Sequence, residues 1–453
     1  MQRPADSTGG SRIIPAVSQS DTAGTRLYEL LVDEEDARVC KDISDAACRE
    51  TPRSFVLQLI AQFLTKLGDA IASPKTVLAW VMAAIQAPPA LVGLMVPIRE
   101  SGSLIPQLFI ASYVRRLELR KWVWVVGAVI QGLAVAGIGL VAMRLEGAAA
   151  GWAVIGLLVV FSLARGLGSV ASKDVLGKTV AKTRRGRLTG WSASAAGMVS
   201  LGVGGLLLLP DDGPDGSGLL AMLLAGAGAL WFAAALVYAR IPEFPGETSG
   251  GGNAVTEALA RLRLLVEDAP FRRFVIARSL LLCSALSAPF YVLLARERIG
   301  GEHWLLGLFV LSAGLASLLA APFWGRFADR SSRQVMVLGG AISGGIGAVI
   351  VLADQLAPGL VATAWFVPLA YFILSIAHDG VRVGRKTYVV DLAGGNKRTD
   401  YVAVSNTVIG VVLLVTGLVG LLTPVIGTAG VILVLSLMGL AGARLSAALP
   451  EVQ

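Results

Sequence analysis

The chain has 453 residues, 55% of them hydrophobic and 15% charged, against about 25% charged in soluble domains. It carries 53 glycines, three cysteines and a net charge of +8. These figures exclude a soluble domain, a disordered chain, a coiled coil and a disulfide-framed fold, and leave an integral membrane protein.

Residues 1–53 are polar, with the acidic run Asp33-Glu34-Glu35-Asp36 and no apolar stretch of the kind that directs export. This segment is expected to stay in the cytosol. Between Thr25 and Asp45, Leu27, Leu30, Leu31, Ala37 and Val39 recur at loosely helical spacing and predict a short amphipathic helix beside the membrane. Cys40 and Cys48 are expected as reduced thiols. With only His303 and His378 elsewhere, no metal site can be assembled.

A spanning helix needs about 20 apolar residues. Nine stretches satisfy this cleanly, at 122–143, 150–171, 188–209, 218–239, 303–324, 335–353, 362–381, 400–422 and 424–446. Three more, at 55–82, 87–113 and 274–295, are interrupted by charge or proline. An internal repeat rescues them. Shifted by about 215 residues, Ser73-Pro74-Lys75 falls on Ala288-Pro289-Phe290, and the loop at Ala111 falls on the loop at Gly325. Lys173 likewise meets Lys386, and Gly197 meets Gly410. The expected fold is therefore all-α, with twelve transmembrane helices in two parallel six-helix repeats. The units are a segment at 1–53, bundles at 54–240 and 271–447, and a cytosolic linker at 241–270, rich in glycine and proline.

Alternate loops carry 23 and 3 Lys and Arg residues, which places both termini in the cytosol. That asymmetry accounts for the positive charge without nucleic acid. Trp122, Trp124, Trp152, Trp304 and Trp324 lie near span ends and are expected in an aromatic belt. The glycines Gly197, Gly202, Gly204 and Gly205 in the fifth span, and Gly410, Gly417 and Gly420 in the eleventh, predict close helix packing.

The loop Gly325-Arg326-Phe327-Ala328-Asp329-Arg330-Ser331-Ser332-Arg333, between the eighth and ninth spans, resembles the loop signature of the major facilitator superfamily. The corresponding first-half loop, Ala111 to Lys121, has Ala111 for the glycine and Arg115 for the aspartate. The resemblance implies a transporter with this fold, working as a monomer. It also implies that Asp329, with Arg330 and Arg333 and in the first half Arg115 and Arg116, locks helix ends together and releases them during alternating access. An aspartate at a helix N-terminus is favoured by the helix dipole. If the altered loop also gates, another carboxylate must stand in, and Glu118 is nearest. The plainer reading is that these charges only fix topology.

Charges inside the spans cost about 2.5–3.5 kcal/mol each at the bilayer centre and are expected to face a cavity. Lys66 and Asp69 share a helix face three residues apart. Lys75 follows Pro74 and points elsewhere. Arg99 and Glu100 lie mid-span, flanked by Pro97 and Pro106, where the helix is expected to bend. Arg165 lies in the fourth span, and His378 and Asp379 in the tenth, with Arg382 one turn on. Two readings stand. In one, Arg99, Lys66 and Arg165 bind an anionic group while Glu100, Asp69 or Asp379 carries a coupling proton, and His378 either joins them or simply packs. In the other, Lys66–Asp69 and Arg99–Glu100 are structural pairs and Arg165 reaches the cytosolic face.

No phosphate-binding loop, nucleophile elbow or zinc motif is present; Gly177-Lys178-Thr179 lacks the earlier glycine. The chain is expected to be no enzyme and to use no cofactor. It is read as a secondary transporter of the bacterial inner membrane, moving a small, slightly anionic organic solute, with protons, across the lipid bilayer. Drug or metabolite efflux by the same fold is the alternative, and a non-transporting membrane sensor or interaction protein is the alternative from another class.

Overall fold

The computed structural model describes residues 45–114, 116–208, 217–246, 248, 262–392 and 398–452. The amphipathic helix expected from Thr25 lies outside them, as does Arg115. All regular structure in the described residues is helical. A one-turn helix α1 (Asp45–Arg49) comes first. Cys48 within it is disulfide-bonded, contrary to the reduced thiol expected.

The three interrupted stretches fold as broken helices. The first is α2 (Thr51–Ile71) and α3 (Val77–Ala84), parted at Ser73-Pro74-Lys75. The second is α4 (Pro89–Leu104) and α5 (Gln107–Val114). Proline lacks an amide donor and crowds the preceding turn. Pro106 parts α4 from α5, whereas Pro97 is absorbed inside α4. Then come α6 (Lys121–Arg144), α7 (Gly147–Thr179), α8 (Lys182–Leu206) and α9 (Ser217–Ala239).

The second half opens with α10 (Leu264–Glu267), followed by α11 (Ala269–Leu280), α12 (Cys283–Leu286) and α13 (Ala288–Ile299). The break ahead of Pro289 answers the one at Pro74, as the repeat predicts. Beyond it lie α14 (His303–Ala328), α15 (Ser332–Leu356), α16 (Pro358–Val361), α17 (Phe366–Leu392) and α18 (Arg398–Gly417). A 3₁₀ turn (Leu418–Leu422) leads into α19 (Thr423–Ala447).

Among the described residues, eight segments are long and apolar enough to cross a membrane by length and composition. The first, second and fifth expected spans are not among them. Lys66, Asp69, Lys75, Arg99 and Glu100 lower the apolarity of the first two, and a basic stretch opens the fifth. Leu133, Leu236, Leu319, Leu352 and Val415 face outward, as a lipid-facing surface requires.

α2, α4, α6, α7 and α9 pack as one bundle, and α14, α15, α17 and α19 as another. The bundles meet where α4 runs along α18 and the 3₁₀ turn, and where α8 runs along α14. Glycine permits the approach. A Cβ at Gly93 would lie 2.6 Å from the Gly420 Cα, and one at Gly204 would lie 2.8 Å from the Leu311 side chain. Gly202 and Gly205, also expected to pack closely, face open space. At one end, Arg296 of α13 donates to the Trp80 carbonyl at 3.2 Å and lies over its ring, closing the two halves there. Nearby, Arg298 forks onto Asp354 at 2.8 and 2.9 Å.

Two tryptophans depart from the belt. Trp124 is buried and stacks on Tyr238 at 3.9 Å between ring centroids. Trp324 is buried and donates its indole N–H to the Ile376 carbonyl at 2.8 Å. Each finds a better partner inside its bundle than at the interface. Trp122 and Trp152 are exposed, as expected.

Candidate functional site

The break after α2 leaves Asp69 near the end of a helix that faces α4 and α7. Arg99 of α4 donates to Asp69 Oδ1 at 2.6 Å. Arg165 of α7 reaches both carboxylate oxygens, at 2.6 and 2.5 Å. Arg99 is 7% exposed and lies over the Phe161 ring, 5.3 Å from its centroid. The pairs expected within single helices therefore give way to a cluster joining three helices. Lys66 donates to Ser192 Oγ of α8 at 2.7 Å. Arg99 and Glu100, adjacent in sequence, point apart. Arg165, expected to extend toward the cytosolic face in the structural reading, is drawn to Asp69 instead, because a shared carboxylate satisfies both guanidinium groups.

Glu100 is exposed into a cavity of about 530 Å³ between the bundles. Lys75, Arg165, Arg278, Arg382, Arg385 and Lys386 line it beside Glu100 and His378, with Leu281, Leu282, Val389 and Ile409 on the apolar side. Lys75 crosses from the first half to the second, with Nζ 2.9 Å from His378 Nε2. The other ring nitrogen, Nδ1, lies 3.0 Å from Ser284 Oγ. His378 is thus a bridging residue. Lys75, His378 and Arg382 also border a second, smaller cavity of about 160 Å³ that reaches Asp379 and Tyr371. Asp379 holds Arg382 at 2.9 Å, as the spacing predicts.

Three cavity cations escaped the sequence reading. The tenth span was ended at 381, which consigns Arg385 and Lys386 to a loop, but α17 continues to Leu392. The spacing of 382, 385 and 386 is helical and was the available signal. Arg278 of α11 is buried, and Ser405 Oγ and Asn406 Oδ1 of α18 accept from it.

The loop residues are arranged differently from expectation. Asp329 closes the C-terminal end of α14, and Ser331 caps α15 by accepting from Gln334 N at 3.1 Å. Asp329 and Arg330 are exposed, and a Cβ at Gly325 would meet nothing within 4 Å. Arg333 anchors the loop to the end of the chain through Glu451 at 3.0 Å. In the first half Arg116 is exposed, and the buried Arg120 does the joining. Arg120 pairs with Asp174 of α7. Glu243, whose side chain is 0% exposed, accepts from the Arg120 and Lys121 amides at 3.0 and 2.7 Å and from Lys178 at 3.1 Å. Asp174 and Glu243 therefore supply the carboxylates that were sought at Glu118, which offers its carbonyl to Lys178 and to Gly246 N. Glu243 also fixes the start of the expected flexible linker.

The sequence profile described as Major Facilitator Superfamily matches residues 59–408. No curated protein matches the chain. Among solved structures, the inward-open xylose transporter XylE of E. coli aligns with a TM-score of 0.65 at 13% identity, over 88% of this chain and 97% of that one. The nucleoside transporter NupG gives 0.63 at 14% identity, over 87% and 98%. A POT family transporter in complex with 5-aminolevulinic acid gives 0.65 at 12% identity, over 86% and 95%. At these identities the structures establish the fold.

Proposed function

Because the chain belongs to the Major Facilitator Superfamily, a family of transporters rather than enzymes, we propose that it is a secondary active transporter of a small organic anion, coupled to protons. The observation that carries this reading is the cavity between the bundles, where six cationic side chains face one carboxylate. Its volume suits a small molecule. Cations held at such depth are costly without counter-charge, and a transported anion supplies it.

The protein is multi-pass in the membrane. We place twelve crossings in the bundles 54–240 and 271–447, both termini in the cytosol, and the protein as a monomer in a bacterial inner membrane. The loop charge supports that orientation. The bundles then touch toward the outer face, through Gly93–Gly420 and Arg296–Trp80, and the cavity opens inward. Alternating access separates these contacts and closes the loops around Arg120 and Arg333 on the other side.

Proton coupling falls to Glu100. Asp69 is held by two arginines and Asp379 by one, whereas Glu100 faces the cavity with no side-chain hydrogen bond among the described residues. An anion seated among the same cations competes with ionised Glu100 for them, so anion and proton are taken up together. Glu100→Gln is expected to keep anion exchange across proteoliposomes and to lose accumulation driven by a pH gradient. Undiminished gradient-driven accumulation would remove Glu100 from the mechanism.

A further inference from the structure

The cations in the cavity are not evenly spread. Arg382, Arg385 and Lys386 occupy one face of α17, at spacings of three and four residues, where like charges destabilise a helix. Arg278 of α11 joins them across the cavity wall. Each lies close enough to feel the others: Lys386 the three arginines, Arg278 the guanidinium of Arg385, and Arg385 that of Arg382. Arg278 is 93% buried and held from behind by Ser405 and Asn406, and its Nε has no partner. The Arg385 Nε is also without a partner, and no described residue accepts a hydrogen bond from that side chain. Against four positive charges stand Asp379, which pairs with Arg382, and Glu100, which acts on Arg385. Two positive charges remain uncompensated at one place.

We propose, building on the anion reading above, that the substrate is a phosphate monoester. Its dianionic head sits in the quartet of Arg278, Arg382, Arg385 and Lys386, and its organic part lies against the apolar wall. A phosphate monoester carries close to two negative charges at neutral pH and offers three acceptor oxygens, and guanidinium groups bind it in a bidentate fork. A monocarboxylate satisfies half of that charge. The apolar side chains Leu281, Leu282 and Val389 border the same cavity, so the head is recognised by charge and the remainder by burial.

The test is calorimetric titration of the purified full-length protein in detergent at pH 8, with phenyl phosphate, methyl phenyl phosphate, benzoate and dihexanoyl phosphatidic acid as probes. Phenyl phosphate is expected to bind at least tenfold more tightly than the singly charged diester and benzoate. Arg385→Gln is expected to reduce that ratio at least fivefold, and Arg385→Lys to restore most of it. Tighter binding of the phosphatidic acid than of phenyl phosphate would assign the same head chemistry to a lipid rather than a soluble ester. Equal binding of phenyl phosphate and benzoate would overturn the phosphate assignment and leave the anion reading standing. Binding of none of the four would overturn both. The comparison of probes on the unsubstituted protein decides the matter even if a variant does not fold.

Discussion

Replacing Asp69 by asparagine removes one negative charge from between two arginines on different helices. Two unit charges about 4 Å apart interact by roughly 4 kcal/mol at an effective dielectric constant of 20. The two pairs are not equivalent. The Arg165 side chain is 38% exposed, so its pair contributes at most about 1 kcal/mol. Arg99 is 7% exposed and cannot recover hydration; stranding a buried charge costs about 3–5 kcal/mol. Asparagine keeps one acceptor, which returns about 1 kcal/mol. The expected loss is about 3 kcal/mol, or roughly a hundredfold in the folded-to-unfolded ratio. Denaturant unfolding of the purified protein in detergent measures it. The same reasoning expects Arg165→Gln to cost no more than about 1 kcal/mol, and the double variant Asp69→Asn, Arg99→Gln to be more stable than Asp69→Asn alone. Stability of Asp69→Asn within about 0.5 kcal/mol of the parent, as for an ordinary surface substitution, would refute the description of Asp69 as the tie between α2, α4 and α7.

Glu243→Ala strips two amides at the start of α6 and Lys178 of a shielded acceptor. It should lower unfolding stability by about 2–4 kcal/mol, and a loss below about 0.5 kcal/mol in the same assay would contradict the capping role. Gly93→Val places methyl groups where the Gly420 backbone already stands. It should leave each bundle folded but abolish gradient-driven uptake in proteoliposomes, because the outer contact cannot re-form. Uptake at the parental rate would show that α4 and the 3₁₀ turn need not meet so closely.

The helical fold was legible because apolar stretches of spanning length need no partner to be recognised, and the repeat recovered the stretches that charge obscures. Pro74 and Pro289 marked the breaks, since a missing amide acts locally. The site was legible in part. Asp69, Arg99, Glu100, Arg165, His378 and Asp379 stand out as charged or titratable groups in apolar surroundings, and all gather around the cavity or the cluster beside it. Their pairing was not legible. A carboxylate three residues from a lysine looks paired on one helix, but Asp69 is claimed by arginines 30 and 96 positions away. Arg385 and Lys386 were lost when the span was ended on apolarity, although a helix lining a wet cavity can continue past its last apolar residue. Glu243 lay in a segment whose glycines and prolines suggested a free linker, and only the fold brings it to the amides of α6. Ser331 capped the helix that Asp329 was expected to cap, a difference of two residues that hydropathy cannot resolve.

The central claim is that the cavity carries an organic anion driven by protons. The most direct measurement is accumulation of a panel of labelled organic anions by sealed proteoliposomes holding the purified protein, with and without an imposed pH gradient. Accumulation of one class of acid that requires the gradient and is abolished by Arg165→Gln is the predicted result. Retention of no anion in vesicles of proven tightness and orientation, with accumulation of neutral or cationic solutes instead, would contradict it.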